Sequence, residues 1–353
     1  MIRFNKEEQY DYQDVLLKPC YSTLESRKDV CLTKHYMDKL GNTMARGIPI
    51  MNANMATVGN FRVARAMLED GMFATIHKHY QPAEIVDFVK SLSIDQASRL
   101  FITIGLRDEF MDIHKIVEVR ETLKADGFHP GNICIDVPNA YLEVVIDLVK
   151  RTKDRYPGAI IMAGNVCDWD GTLQLCNAGA SIVKAGVGCG VACRTRFATG
   201  VGRPQFSTIV ECVAAAQTYN AYVCADGGIT YPGDVAKALA AGAEFVMLGS
   251  FYAGTDEAEG DIYMQNGEKT KIYYGMASET AQKKFYGGVA DYKTSEGALL
   301  TVPYTGHVHD QNLKICGGLR SACTYLGGSN LEELAENATF YKVRRQHTIK
   351  GDN

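Results

Sequence analysis

From residue 48 onward the chain repeats one pattern: a short apolar run, often β-branched, ends in glycine, asparagine, aspartate or histidine, and a segment with helical spacing follows. The runs occupy 48–52, 72–77, 100–105, 133–136, 160–165, 182–186, 222–228 and 245–250. They are apolar throughout rather than alternating, which suits strands of a parallel sheet covered on both faces. Helical spacing recurs between them, as at 61–70, 82–91, 141–156, 207–219 and 232–241. Eight strand–helix units about 25 residues apart predict an α/β fold, a (β/α)₈ TIM barrel, with a doubly wound sheet as the alternative. In a barrel the C-terminal strand ends form the active-site rim. The endings Asn52, His77, Gly105, Asp136, Asn165, Gly186, Asp226 and Gly249 therefore fall on one rim. Turn chemistry alone explains any one of them; eight together favour a site.

Two stretches stand outside the pattern. Residues 1–45 lack periodicity and read as an N-terminal arm. After Gly254 come a hairpin signature at Gln265-Asn266-Gly267-Glu268 and a glycine-containing stretch at 287–297, which predict a flap over the rim at about 255–315. Residues 317–328 and a helix from Asn330 then close the barrel, and the whole of 1–353 reads as one catalytic domain.

Composition narrows the class of function. Apolar residues at 46% and charged residues at 22% are ordinary for a soluble globular protein, and a net charge of −4 offers no electrostatic case for nucleic acid or an anionic membrane. A polar start and the lack of any apolar run of transmembrane length point to the cytosol. The 11 cysteines form no paired Cys-x-x-Cys framework, so most read as small buried hydrophobes. A small molecule is the default partner.

One stretch carries candidate chemistry. In 184–196, glycines 186, 188 and 190 allow positive φ and close approach to a ligand, and Cys193 follows as a candidate nucleophile. A strand-to-helix turn accounts for the glycines without chemistry, so the reading needs partners elsewhere. This loop, Gly202-Arg203-Pro204-Gln205, Asp226-Gly227-Gly228-Ile229, Tyr274-Gly275-Met276 and the segment 290–297 together resemble the IMP dehydrogenase/GMP reductase family over almost the whole chain. His77-Lys78-His79-Tyr80, Met162-Ala163-Gly164-Asn165-Val166, Ser295-Glu296-Gly297 and the lack of a CBS-pair insertion resemble its reductase side.

The resemblance implies NADPH-dependent reductive deamination of GMP to IMP and ammonia. Cys193 would attack C2 of the purine, and Thr195 with Glu296 would deliver protons to the departing ammonia. Substrate binding is implied for Asp226 at the ribose, for Gly228, Gly249, Ser250 and Tyr274 at the phosphate, and for Gly275, Met276, Lys293 and Gly297 as well. Lys78, Asp136 and Asn165 would face the cofactor. Carbonyls of Gly188, Gly190 and Cys193 would hold a monovalent cation such as K⁺, and the assembly implied is a homotetramer. No Gly-x-Gly-x-x-Gly follows an early strand, so the dinucleotide would lie on the rim.

Several positions depart from the family pattern. Val191 stands in place of a serine, Ala56 of an aspartate, Ala277 of a serine, Lys293 of an arginine and Cys189 of a proline, while Ser250 is the residue of the dehydrogenase side. Cys189, four residues before Cys193, raises the idea of a redox-sensitive loop. Two alternatives stay open: an IMP dehydrogenase using NAD, and a nucleotide-binding sensor with little turnover.

Overall fold

A computed structural model describes residues 6–37, 43–106, 109–288 and 294–344. In chain order its strands are β1 Val15–Leu17, β2 Lys34–Met37, β3 Thr43–Asn52, β4 Met72–Ile76, β5 Leu100–Ile104, β6 Asn132–Asp136, β7 Ile161–Val166, β8 Ile182–Ala185, β9 Tyr222–Asp226, β10 Phe245–Leu248, β11 Ile262–Gln265, β12 Glu268–Tyr274, β13 Leu299–Pro303 and β14 Phe340–Lys342. The strands β3 to β10 pair in parallel in sequence order, and β10 pairs back to β3, with Val246 opposite Ile50, so the sheet closes into an eight-stranded barrel. The doubly wound alternative is excluded by that closure.

Each strand feeds a covering helix, among them α1 Phe61–Glu69, α2 Pro82–Lys90, α3 Ile94–Ser98, α4 Glu109–Ala125, α5 Glu143–Arg155, α6 Trp169–Asn177, α7 Thr195–Thr199, α8 Gln205–Gln217 and α9 Pro232–Ala240. Local chemistry marks where they start. The Asn60 side chain accepts from the N–H groups of Arg62 and Val63, which caps α1, and α1 then buries Val63, Ala64, Met67 and Leu68 along one stripe. Pro82 opens α2, where a missing N–H costs nothing. All five residues of β4 and of β5 are buried, as a strand covered by barrel interior and helix requires.

The described residues of the N-terminal arm form ordered structure. Its β2 pairs antiparallel with the start of β3 and swings Tyr36 under the barrel. There Tyr36 stacks on Phe245 at 4.4 Å and meets Phe73 and Tyr222 edge-on, each such pair adding about 0.5–1.5 kcal/mol beyond burial. Nearer the N-terminus the arm grips the other end of the molecule: Gln205 N donates to Asp11 Oδ1 at 2.7 Å, and Lys237 Nζ donates to the Tyr12 carbonyl at 2.9 Å. The strand β1 is itself paired with β14.

After α10 Ser250–Ala253, strands β11, β12 and β13 form a separate antiparallel sheet, with α11 Glu279–Tyr286 between the last two. Its first hairpin turns at Asn266-Gly267, as the sequence predicts. The barrel resumes with α12 Val308–Leu326, which begins before residue 315 and packs against both α9 and α1, and α13 Leu331–Glu336. Among the described residues no helix is long and apolar enough to cross a membrane.

One rim histidine belongs to the packing. The His77 ring stacks on Tyr80 at 4.2 Å, and its Nδ1 accepts the His79 N–H at 3.2 Å. Burial, together with nearby His79 and Lys115, lowers its pKa to about 3, so it stays neutral in the folded state. The unfolded chain protonates it below its ordinary value of about 6.5, so stability is lost as pH falls from there towards 3. The cost at pH 5 is about 2 kcal/mol. Urea unfolding at pH 7 and pH 5 should show that His77→Gln has a shallower loss of stability than the wild type.

Candidate active site

The chain leaves β8 at Gly186, whose φ of 149° is open to glycine, and a Cβ there would collide with the carbonyl of Asp226. The following turns carry Cys193 back over the barrel mouth, directly before α7. The flap then comes to meet it. Residues 192–194 and 296–298 form a short antiparallel bridge: Arg194 N donates to Glu296 O at 2.6 Å, Ala298 N to Ala192 O at 2.9 Å, and Cys193 pairs with Gly297. Approach this close needs small residues. A Cβ on Gly275 would sit 2.8 Å from the Ala192 carbonyl, and one on Gly297 would strike the Ser278 nitrogen.

This docking assembles a line of three side chains. Cys193 Sγ donates to Thr195 Oγ1 at 3.3 Å, and Thr195 Oγ1 donates to Glu296 Oε2 at 2.7 Å, across a sequence separation of 101 residues. They line a cavity of about 270 Å³ whose far wall is Asp136, Val137 and Pro138. A thiol, a hydroxyl and a carboxylate in sequence make a nucleophile with a proton path.

The floor is charged. Lys184, 3% exposed, reaches from β8 to Asp136 Oδ1 and Asp226 Oδ2 at 2.7 Å each, and to Asn54 Oδ1 at 3.3 Å. Burial alone would lower the lysine pKa, but the two carboxylates raise it well above the usual value. Burial would raise that of Asp136, yet Lys184 and then Lys78 bring it below the usual carboxylate value. Asn165 donates from Nδ2 both to Asp226 Oδ2 and to the Gly186 carbonyl, at 2.8 Å each. Its amide hydrogens therefore brace Asp226 and the cysteine loop, and the residue itself lines the cavity.

Lys78 stands beside Gly105, where an added Cβ would meet its Nζ at 2.7 Å, and acts on Asp136 through its charge. Gly188 and Gly190 line the cavity with Cys193, and the Gly190 carbonyl accepts the Cys193 N–H at 2.9 Å, one of its two lone pairs. Met276 also lines the cavity, and its sulfur accepts the N–H of the fully buried Ala56. Lys293 lies outside the described residues.

On the phosphate side the structure places neighbours of two expected residues on the cavity wall. Tyr274 belongs to a small cluster with Ala56 and Ala281 and does not line the cavity. Tyr273 does, with its hydroxyl 3.1 Å from Met55 Sδ and 2.6 Å from where a Cβ on Gly249 would stand. The period of two along β12 puts Tyr273 on the face of Gly275. Likewise Gly227 lines the cavity, whereas Gly228 packs on Gln205 and Cys189. Ser250 opens α10 just after Gly249, and Val191, 53% exposed, brings an apolar wall without a hydroxyl.

Cys189 points down, its Sγ donating to the Asp226 carbonyl at 3.1 Å. Burial and then Asp226 push its thiol up, which is the reverse of the exposed thiolate a redox sensor needs. The redox idea finds no support in that setting. Lys184, Asn54 and Tyr273 are the site residues that sequence reasoning missed. A lysine inside an otherwise apolar strand was the available signal, since a buried charge needs partners.

Comparison with known proteins agrees with this geometry. Residues 9–351 match the family described as IMP dehydrogenase / GMP reductase domain. The chain is 44% identical over 347 residues to a GMP reductase of Caenorhabditis elegans, covering 98% of this chain and 95% of the relative. It is 42% identical over 348 residues to human GMP reductase 1, covering 98% and 99%, and 41% identical over 345 residues to a GMP reductase of Vibrio cholerae, covering 98% of each. A barrel whose cysteine, threonine and flap glutamate converge on one cavity thus belongs to the IMP dehydrogenase/GMP reductase family.

Proposed function

We propose that this chain catalyses the reductive deamination of GMP to IMP and ammonia with NADPH. The observation that carries the reading is the Cys193–Thr195–Glu296 line, with spacings of 3.3 and 2.7 Å. As Cys193 attacks C2 of the purine, its proton passes through Thr195 to the Glu296 carboxylate. The amino group is a poor leaving group until protonated, and Thr195 relays that proton back from Glu296 to it, so that ammonia departs and a purine–cysteine adduct remains. NADPH, when bound, would supply the hydride that reduces C2; the C2–sulfur bond then breaks, the departing Cys193 thiolate takes a proton through Thr195, and IMP leaves.

The remaining residues bind and orient. Asp226, braced by Lys184 and Asn165, offers acceptors to the ribose diol. The phosphate lies towards Gly227, Gly249, Ser250 and the Tyr273 hydroxyl, after the seventh and eighth barrel strands, where barrel enzymes commonly hold one. The far wall at Asp136, Val137 and Pro138, with Lys78 behind it, suits the nicotinamide end of the dinucleotide. Carbonyls of Gly188, Gly190 and Cys193 would hold a potassium ion that orders the loop. Exposed Phe197 and Val201 beside that loop suit subunit packing, and the assembly proposed is a homotetramer.

Absorbance at the NADPH band tests the reading: GMP should drive oxidation in the wild type and none in Cys193→Ala, and Glu296→Gln should be slowed about 10²-fold or more. Omitting potassium should lower the rate. Absence of GMP-dependent oxidation by the wild type sinks the proposal, and NADH formed from IMP and NAD moves the chain to the dehydrogenase reaction. A second variant probes the docking of flap on loop. Gly297→Ala displaces the backbone that carries Glu296, and its kcat should fall at least about tenfold with a smaller change in GMP binding, because misplacement by about 1 Å costs rate far more than affinity.

A further inference from the structure

We infer that Lys184 is the positioning residue that keeps Asp226 an ionised ribose acceptor by holding it and Asp136 on one buried ammonium. The inference rests on the reading above for the identity of the ligand, not for the geometry. All three N–H donors of the ammonium have acceptors: Asp136 Oδ1, Asp226 Oδ2 and Asn54 Oδ1. Lys184 therefore has no donor left for a ligand and acts only through its partners. Each carboxylate commits one oxygen to it and remains part-exposed to the cavity, with side-chain exposures of 29% for Asp136 and 20% for Asp226. Asn165 fills the same Asp226 oxygen from the other side, which fixes the rotation of the carboxylate and leaves Oδ1 for the diol.

The charge arithmetic makes the lysine indispensable to that role. Two carboxylates within hydrogen-bond reach of one nitrogen repel strongly when no cation stands between them, and one of such a pair takes up a proton well above the ordinary carboxylate range. Among the described groups around this bridge Lys78 is a further cation, and it acts on Asp136 and offers nothing to Asp226. From β6 and β9 come the buried thiols of Cys134 and Cys224, both pushed up by burial and neutral, and from β10 comes the Met247 sulfur at 3.5 Å. The flap contributes the neutral phenol of Tyr273, and Lys78 serves Asp136 from the outer side. Removing Lys184 thus leaves Asp226 beside a carboxylate that Lys78 still favours as an anion, and the proton Asp226 then takes competes with ribose binding.

The experiment compares wild type, Lys184→Met and the double variant Lys184→Met/Asp136→Asn. Calorimetry with GMP alone, from pH 6 to pH 8, is expected to show for the wild type only the dependence that the GMP phosphate brings, its second pKa being about 6. Lys184→Met should bind at least tenfold more weakly at pH 6 and recover as pH rises, since the raised carboxylate must ionise before it accepts the diol. The double variant should lose most of that pH dependence, because a lone carboxylate has no neighbour to share a proton with. Asp136 does not touch the ribose in this reading, so its rescue of GMP binding is not what a general packing defect would give.

Thermal unfolding without ligand gives a second, ligand-independent readout. A carboxylate whose folded pKa is raised stabilises the fold at low pH and loses that contribution as pH rises, so the Tm of Lys184→Met should fall from pH 6 to pH 8 and flatten again in the double variant. Wild-type affinity and a wild-type Tm profile in Lys184→Met overturn the inference, as does failure of both variants to fold. If GMP does not bind the wild type while the Tm profiles behave as stated, the functional reading fails and the carboxylate bridge stands.

Discussion

The backbone bridge between residues 192–194 and 296–298 is the contact on which the site depends. Neither partner is a barrel strand. One is the loop after β8, the other the segment leading into β13, and only their pairing sets the Glu296 carboxylate on the Thr195 hydroxyl. Backbone hydrogen bonds suit that task, since they fix register to a fraction of an ångström, and register decides which side chain faces the cavity. Gly275 and Gly297 permit the approach, so their small size is as much part of the chemistry as the thiol itself.

Beneath that bridge the barrel supplies stiffness and charge. Strands β6, β8 and β9 each contribute one member of the Asp136–Lys184–Asp226 bridge, and Asn165 on β7 braces it from within. Buried ions hold their positions only when every donor and acceptor is answered, and here the lysine is answered three times. The arm then supports the loop from below, through Asp11 on the Gln205 backbone and Tyr12, buried beside Cys189. A segment that reads as an unpatterned tail is in this way part of the scaffold.

The departures from the family pattern take on physical meaning once placed. Ala56 is wholly buried under Met276 and Tyr274, away from the cavity, so a carboxylate there would need partners that this cluster lacks. Cys189 ties the loop to β9 by its thiol, a tether on the Asp226 carbonyl where a ring would restrict φ. Val191 removes a hydroxyl from the cavity wall, and Tyr273 and Ser250 are the hydroxyl-bearing residues that remain near Gly249. All 11 cysteines are free, and six of them are buried in the manner of small hydrophobes.

The sequence by itself determined the barrel and singled out Cys193 as the candidate nucleophile. Eight buried strands announce themselves because a strand covered on both faces must be apolar along its whole length, and seven of the eight predicted runs coincide with a strand to within about two residues, while β3 begins five residues before its run, where it pairs with β2. The glycines around Cys193 and the family motifs singled out Thr195, Asp226 and Glu296 for the same reason, being local in sequence. What only the tertiary structure decided is what meets what. The fork between Tyr273 and Tyr274 turns on the register of β12 against β13, which no local pattern encodes. The roles of Lys184 and Asn165 come from neighbours on other strands, and the use of the arm comes from contacts about 195 residues distant in the chain. A local pattern records a residue's own burial and conformation; its partners are set by how distant segments pack, and the chemistry of this site resides in those partnerships.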